Sequence, residues 1–196
     1  MPKKLSIKKA TTDFDAELAA ISSFTSSMGS KGSAADEARV HDYAIIAAYR
    51  SFESLMLECL VGALNRDPAH FRTRTGVLVP KHMNRSTCQF LITGDGYFDF
   101  KGRDGLIKEI KRVVPDTHFL HTTVKDAKYR TSLERLCALR NFAAHGSAQS
   151  KRAALDATGM TKMSSAGAYL RVGSRFNSVL SRLADLSSEI RTAAPF

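Results

Sequence analysis

The residues best suited to chemistry stand together in A-L-R-N-F-A-A-H-G, where Arg140 and Asn141 precede His145. The stretch offers an imidazole, a guanidinium and an amide. Cleavage of RNA by its own ribose 2′-hydroxyl needs a group that moves protons near neutral pH, and a cation to offset the charge growing on the phosphorane oxygens. Imidazole and guanidinium supply both, with no metal and no cofactor. On an α-helix Asn141 and His145 lie one turn apart on one face, whereas Arg140 and His145 are offset by about 7.5 Å of rise and about 140° of rotation. One helix aims that pair imperfectly. A symmetric homodimer that packs two such helix ends together would gather two Arg140 and two His145 in a single cleft, which makes the dimer part of the expected mechanism. The plainer reading is a histidine favoured by the helix dipole and an arginine serving as an ion-pair donor.

These residues need a helix that ends at His145, and Gly146 follows where a C-cap glycine belongs. Apolar periodicity predicts this helix over 123–145, with Leu133, Leu136 and Arg140 in one row and Tyr129, Leu139 and Phe142 beside it. A long central helix is predicted over 35–65. Its buried stripe is Ile45, Tyr49, Phe52, Met56, Cys59 or Leu60 and Ala63; Ser33 and Asp36 form a capping box before it, and Pro68 stops it. A short first helix from Asp13 ends at the joint Gly29–Ser33. A second short helix spans 106–114, and a final amphipathic helix runs from Val172 to Ile190. Between Pro68 and Arg103 the pattern is irregular: Thr87–Thr93 reads as a helical turn or a short strand. Gly94, Gly96, Gly102 and Gly105 lack the Gly-Lys-Ser/Thr of a phosphate loop. Residues 147–165 read as an exposed linker or frayed helix. The expectation is an all-α bundle with an irregular middle insertion, divided into a basic N-terminal arm, 1–33, and a helical domain, 34–196.

With 196 residues and 43% hydrophobic content the chain can build a core, which excludes wholesale disorder. Its longest apolar run, Ala44–Tyr49, is far short of the roughly 20 residues that span a bilayer. Asp13, Asp15 and Glu17 follow the basic N-terminus where a secretion signal would be apolar, so a cytoplasmic protein is expected. Cys59, Cys88 and Cys137 read as reduced structural thiols. His118 and His121 find no further metal ligands at plausible spacing, and His41, His70 and His82 read as surface or capping residues. No Ser-His-Asp order can be assembled. The formal charge of +10 favours a polyanionic partner such as RNA. The basic residues gather at Lys3, Lys4, Lys8 and Lys9; at Arg66, Arg72, Arg74, Lys81 and Arg85; and at Lys101, Arg103, Lys108, Lys111 and Arg112. Arg72, Arg74 and Lys81 are the candidates for selecting an RNA substrate.

Arg, then Asn, then three residues and His, late in a helical bundle, resembles the HEPN family (higher eukaryotes and prokaryotes nucleotide-binding), whose motif is Arg, four to six residues, His. The gap here is four, and Asn is among the residue types the family favours after the Arg. S-F-E-S-L-M-L-E in the long helix resembles the family's early helix with an inward acidic residue. Tyr97 through Ile110 is similar to the middle of prokaryotic HEPN proteins of the RiboL-PSP type. The resemblance spans roughly Ala35 to Arg191. It implies a metal-independent endoribonuclease, commonly a bacterial toxin or phage-defence effector with a cognate antitoxin, leaving a 2′,3′-cyclic phosphate and a 5′-hydroxyl. Carried over, Arg140 would act on the scissile phosphate, His145 on protons, and Asn141 would orient the phosphate or the imidazole. Glu53 would bond Arg140 from the facing helix, with Glu58 as the other available carboxylate. The alternative is a non-catalytic dimer of the same kind that binds RNA, a nucleotide or a partner protein.

Overall fold

The computed structural model describes residues 5–29 and 32–195. It is all-helical, 77% helix, with no strand among the described residues. The helices are α1 (Ile7–Gly29), α2 (Ala34–Arg66), α3 (Ala69–Thr75), α4 (Arg85–Thr93), α5 (Gly102–Val113), α6 (Phe119–Lys125), α7 (Ala127–His145), α8 (Ala148–Thr158), α9 (Ala166–Leu170) and α10 (Arg175–Ala193). Lys3, Lys4, and Ser30 and Lys31 of the expected joint lie outside the described residues. No helix among those described is long and apolar enough to cross a membrane.

The axis of the bundle is α2. It starts where the capping box requires: the Ser33 side chain accepts from the Asp36 N–H, and the Asp36 carboxylate accepts from the Ser33 N–H at 3.1 Å. Its expected stripe is buried, and burial extends to Ala44, Ala48 and Leu64 because α1, α4, α7 and α9 all pack around it. The first helix begins at Ile7, six residues before the expected start, with the Ser6 hydroxyl accepting from the Lys9 N–H at 3.2 Å. Ile7, Phe14, Leu18 and Ile21 then enter the same apolar core as α2 and α10. Phe14 packs 6.4 Å from Phe52, and Arg191 of α10 pairs with Asp15.

Where one helix was expected from Thr123, the chain breaks at Asp126, which caps α7 by accepting from the Lys128 N–H at 3.0 Å. Arg103 holds the break. Its guanidinium donates to the carbonyls of Val124 at 3.1 Å, Lys125, and Asp126 at 3.5 Å, and the residue is only 9% exposed. Arg103 belongs to one of the basic clusters of the sequence, yet it stoppers the orphan carbonyls of α6. Arg103→Ala is expected to cost about 3 kcal/mol, read as a lowered urea midpoint, with Arg103→Lys intermediate because an ammonium places its donors on one nitrogen and lacks the planar fork that spans these carbonyls. Arg112 similarly donates to the Ile92 carbonyl at the end of α4.

Thr87–Thr93 is helical, as part of α4, whose start is capped by Asn84 accepting from the Thr87 N–H at 2.8 Å. The expected linker after residue 147 is largely helix: Ser147 caps α8, Ala154 is fully buried, and Gly159 ends it with φ 69°. His41 is a core residue instead of a surface one, its ring 5.3 Å from Phe176 and its Nδ1 donating to the Glu37 carbonyl at 2.8 Å. His70 ties α3 to the Lys111 carbonyl at 3.1 Å, and His118 accepts from the Leu120 N–H as the cap of α6.

Candidate functional site

The end of α7 opens onto a groove of about 920 Å³. One wall is α7, through Cys137, Arg140, Asn141 and His145; the other is α8, through Ser147, Gln149, Ser150, Ala153 and Asp156. Tyr49 of α2 and residues 99–102 close it off. Gly146 ends α7 in the left-handed conformation, φ 58°, and its N–H bonds the Phe142 carbonyl at 3.0 Å. The glycine stop read from the sequence therefore sits where His145 needs it. The His145 side chain is exposed and has no hydrogen-bond or ion-pair partner among the described residues.

Arg140 is held from three sides. Its guanidinium lies 4.3 Å from the centre of the Tyr49 ring, Nη1 donates to the Asn141 Oδ1 at 2.8 Å, and Nη2 stands 3.6 Å from the Glu53 Oε1. The Tyr49 platform is itself fixed, since its hydroxyl donates to the Phe100 carbonyl at 3.1 Å. Asn141 is oriented by Arg140 on its oxygen and by the Cys137 Sγ, 3.7 Å away, on its amide nitrogen. Asn141 thus positions the guanidinium and makes no hydrogen bond to His145. Of Glu53 and Glu58, Glu53 is the one that meets Arg140; Glu58 pairs with Arg85.

Burial raises the Glu53 carboxyl above the usual range; Arg140 pulls it back down and Asp99 adds to the rise. Burial likewise lifts the Tyr49 phenol, with Cys137 and Glu53 adding and Arg140 opposing. A carboxyl whose pKa is raised in the folded state gives stability that is full at low pH and lost as pH climbs through the folded value. Glu53→Gln removes that dependence, so the variant should gain on the wild type as pH climbs out of the ordinary carboxylate range and through the raised Glu53 value, as compared by urea midpoints. A variant that loses ground instead would mean that the pairing with Arg140 outweighs the cost of burial.

The groove carries charges of both signs. Its lining carries Asp99, Glu134 and Asp156 against Lys101, Arg140 and the titratable His145. Glu134 is bonded to Arg130 at 3.0 Å, whereas Asp99 and Asp156 have no ion-pair partner among the described residues. Arg72, Arg74 and Lys81 are exposed on α3 and the segment after it, and none lines the groove. Sequence reasoning missed Tyr49 as a guanidinium platform and missed the α8 wall. The spacing of Tyr49 and Glu53, four residues apart on α2, was the available signal for the first. No group of three or more His, Cys, Asp or Glu among the described residues is placed to hold a metal ion. Compared with known proteins, the chain matches no family model, no curated protein and no solved structure.

Proposed function

We propose that this chain is a metal-independent endoribonuclease of HEPN type, acting as a homodimer whose two α7 ends form one composite site. The observation that carries the reading is the Arg140 assembly: a guanidinium held by Tyr49, Asn141 and Glu53 in the groove that the exposed His145 also lines. A fixed guanidinium is preorganised to stabilise the charge of a phosphorane, and a solvent-facing imidazole is free to exchange protons. The ribose 2′-oxygen attacks phosphorus as its proton leaves, and the bond from phosphorus to the 5′-oxygen breaks as that oxygen takes a proton. One imidazole cannot serve both ends of the same step, so the His145 of each copy takes one end. The biological role that goes with this chemistry is a bacterial toxin or phage-defence effector of the cytoplasm, restrained by a cognate antitoxin.

A second reading, a non-catalytic module that binds RNA, a nucleotide or a protein, draws on the carboxylates of the lining, which weaken the attraction of the groove for a polyanion. The two readings part when purified protein is incubated with total and transfer RNA in EDTA. Fragments ending in 2′,3′-cyclic phosphate support the nuclease. RNA that is bound but intact supports the binding module.

A further inference from the structure

Two features of the outer face, formed by α1 and α2, stand apart from the groove at α7. The first is shape. Adjoining hollows of about 540 Å³ and about 310 Å³ share Glu17, Tyr43 and Ala47 and together make a trough between the two helices. Small residues, Ala10, Ala20, Ala44 and Ala47, keep it open. Beside it stand large exposed apolar side chains: Tyr43 at 71%, Phe24 at 51% and Met28 at 45% exposure. The face therefore carries both a knob, Tyr43, and a hole of alanines in which an aromatic ring can seat.

The second feature is charge. Four charged residues line the larger hollow. Asp13 is neutralised by Lys9 at 2.6 Å, and Glu58 is bonded to Arg85. Glu17 and Arg50 have no ion-pair partner among the described residues, and both are exposed. One unpaired anion on α1 and one unpaired cation on α2, flanking the same knob and hole, are what a two-fold contact uses: a patch facing its own copy brings residue i to j and j to i. A foreign partner with a single charge sign would satisfy one of the two and oppose the other.

We propose that the α1–α2 face is an isologous interface with a second copy of this chain, in which Tyr43 of each copy seats in the alanine trough of the other and Glu17 pairs reciprocally with Arg50. The contact is separate from the pairing of α7 ends and does not rest on ribonuclease activity. A buried tyrosine framed by ion pairs at the rim is the pattern that concentrates binding energy at protein interfaces.

The test is the solution mass of the full chain by light scattering, for wild type, E17R, R50E and the double variant E17R/R50E. Both side chains are exposed, so circular dichroism of all four should coincide. Each single variant sets like charges against each other twice per interface and should lower the mass at least two-fold, whereas the double variant restores opposite charges and should recover the wild-type mass. A monomeric wild type, singles that keep the wild-type mass, or a double variant no heavier than the singles would each overturn the proposal. The last result would point to a different occupant of the trough.

Discussion

His145→Ala is expected to lower metal-free RNA cleavage by about 10³-fold, the range in which a positioned acid–base group contributes, with RNA binding little changed. Nothing in the fold leans on this side chain: it is exposed, it has no partner among the described residues, and Gly146 ends the helix without it. A loss of cleavage with unchanged melting would therefore be a chemical effect. Arg140→Ala is expected to slow turnover by about 10²–10³-fold for the loss of one charge-stabilising group, but it differs in one respect. It leaves the half-buried Glu53 without its cation, so it should also lower thermal stability, whereas Arg140→Lys keeps the charge and loses the stacking on Tyr49. Activity is measured as the rate of cyclic-phosphate formation in EDTA. If folded His145→Ala cleaves at the wild-type rate, the ribonuclease reading falls.

Gly167→Ala is expected to destabilise the fold by about 3 kcal/mol, near the upper end of the usual cost of overpacking. A Cβ on Gly167 would lie 1.8 Å from the Ala38 carbonyl oxygen and 2.8 Å from the Asp42 backbone nitrogen. Both are backbone atoms of α2, and neither can swing aside. The Gly167 N–H also donates to the Asp42 Oδ1 at 2.6 Å, so displacing α9 breaks a bond as well as a contact. For a domain of this length the melting temperature should fall by about 6–12 °C. Gly105→Ala is the control: the nearest atoms to its Cβ, on Phe100, are at an ordinary 3.5 Å, and its place within α5 makes alanine neutral or stabilising by up to about 1 kcal/mol. Equal melting temperatures for the two variants would contradict the close approach of α9 to α2.

What was legible in the sequence was written locally. Ser33 and Asp36 mark the start of α2 within one residue, Gly146 marks the end of α7, and the apolar steps of α10 stand out because its buried residues are large. What was missed depends on residues far apart in the chain or on small side chains. The α8 wall buries alanine and serine, Ala154 and Ser150, which hydrophobic periodicity barely registers. Arg103 and Arg112 resemble surface charges until the carbonyls they bond, about twenty residues away, are in place. The choice between Glu53 and Glu58 rests on Arg85, a further long-range partner. The mixed charge of the groove was out of reach for the same reason: Asp99, Glu134 and Asp156 come from three separate segments, and the total charge does not reveal where each sign collects.

The two walls of the groove meet at consecutive residues: Gly146 closes α7 and Ser147 opens α8. The imidazole sits immediately before this two-residue knuckle, so the joint works like the pivot of a pair of calipers with His145 mounted beside it. The torsions at residues 146 and 147 set the gape between α7 and α8, and with it the distance from His145 to the opposite jaw at Gln149 and Asp156.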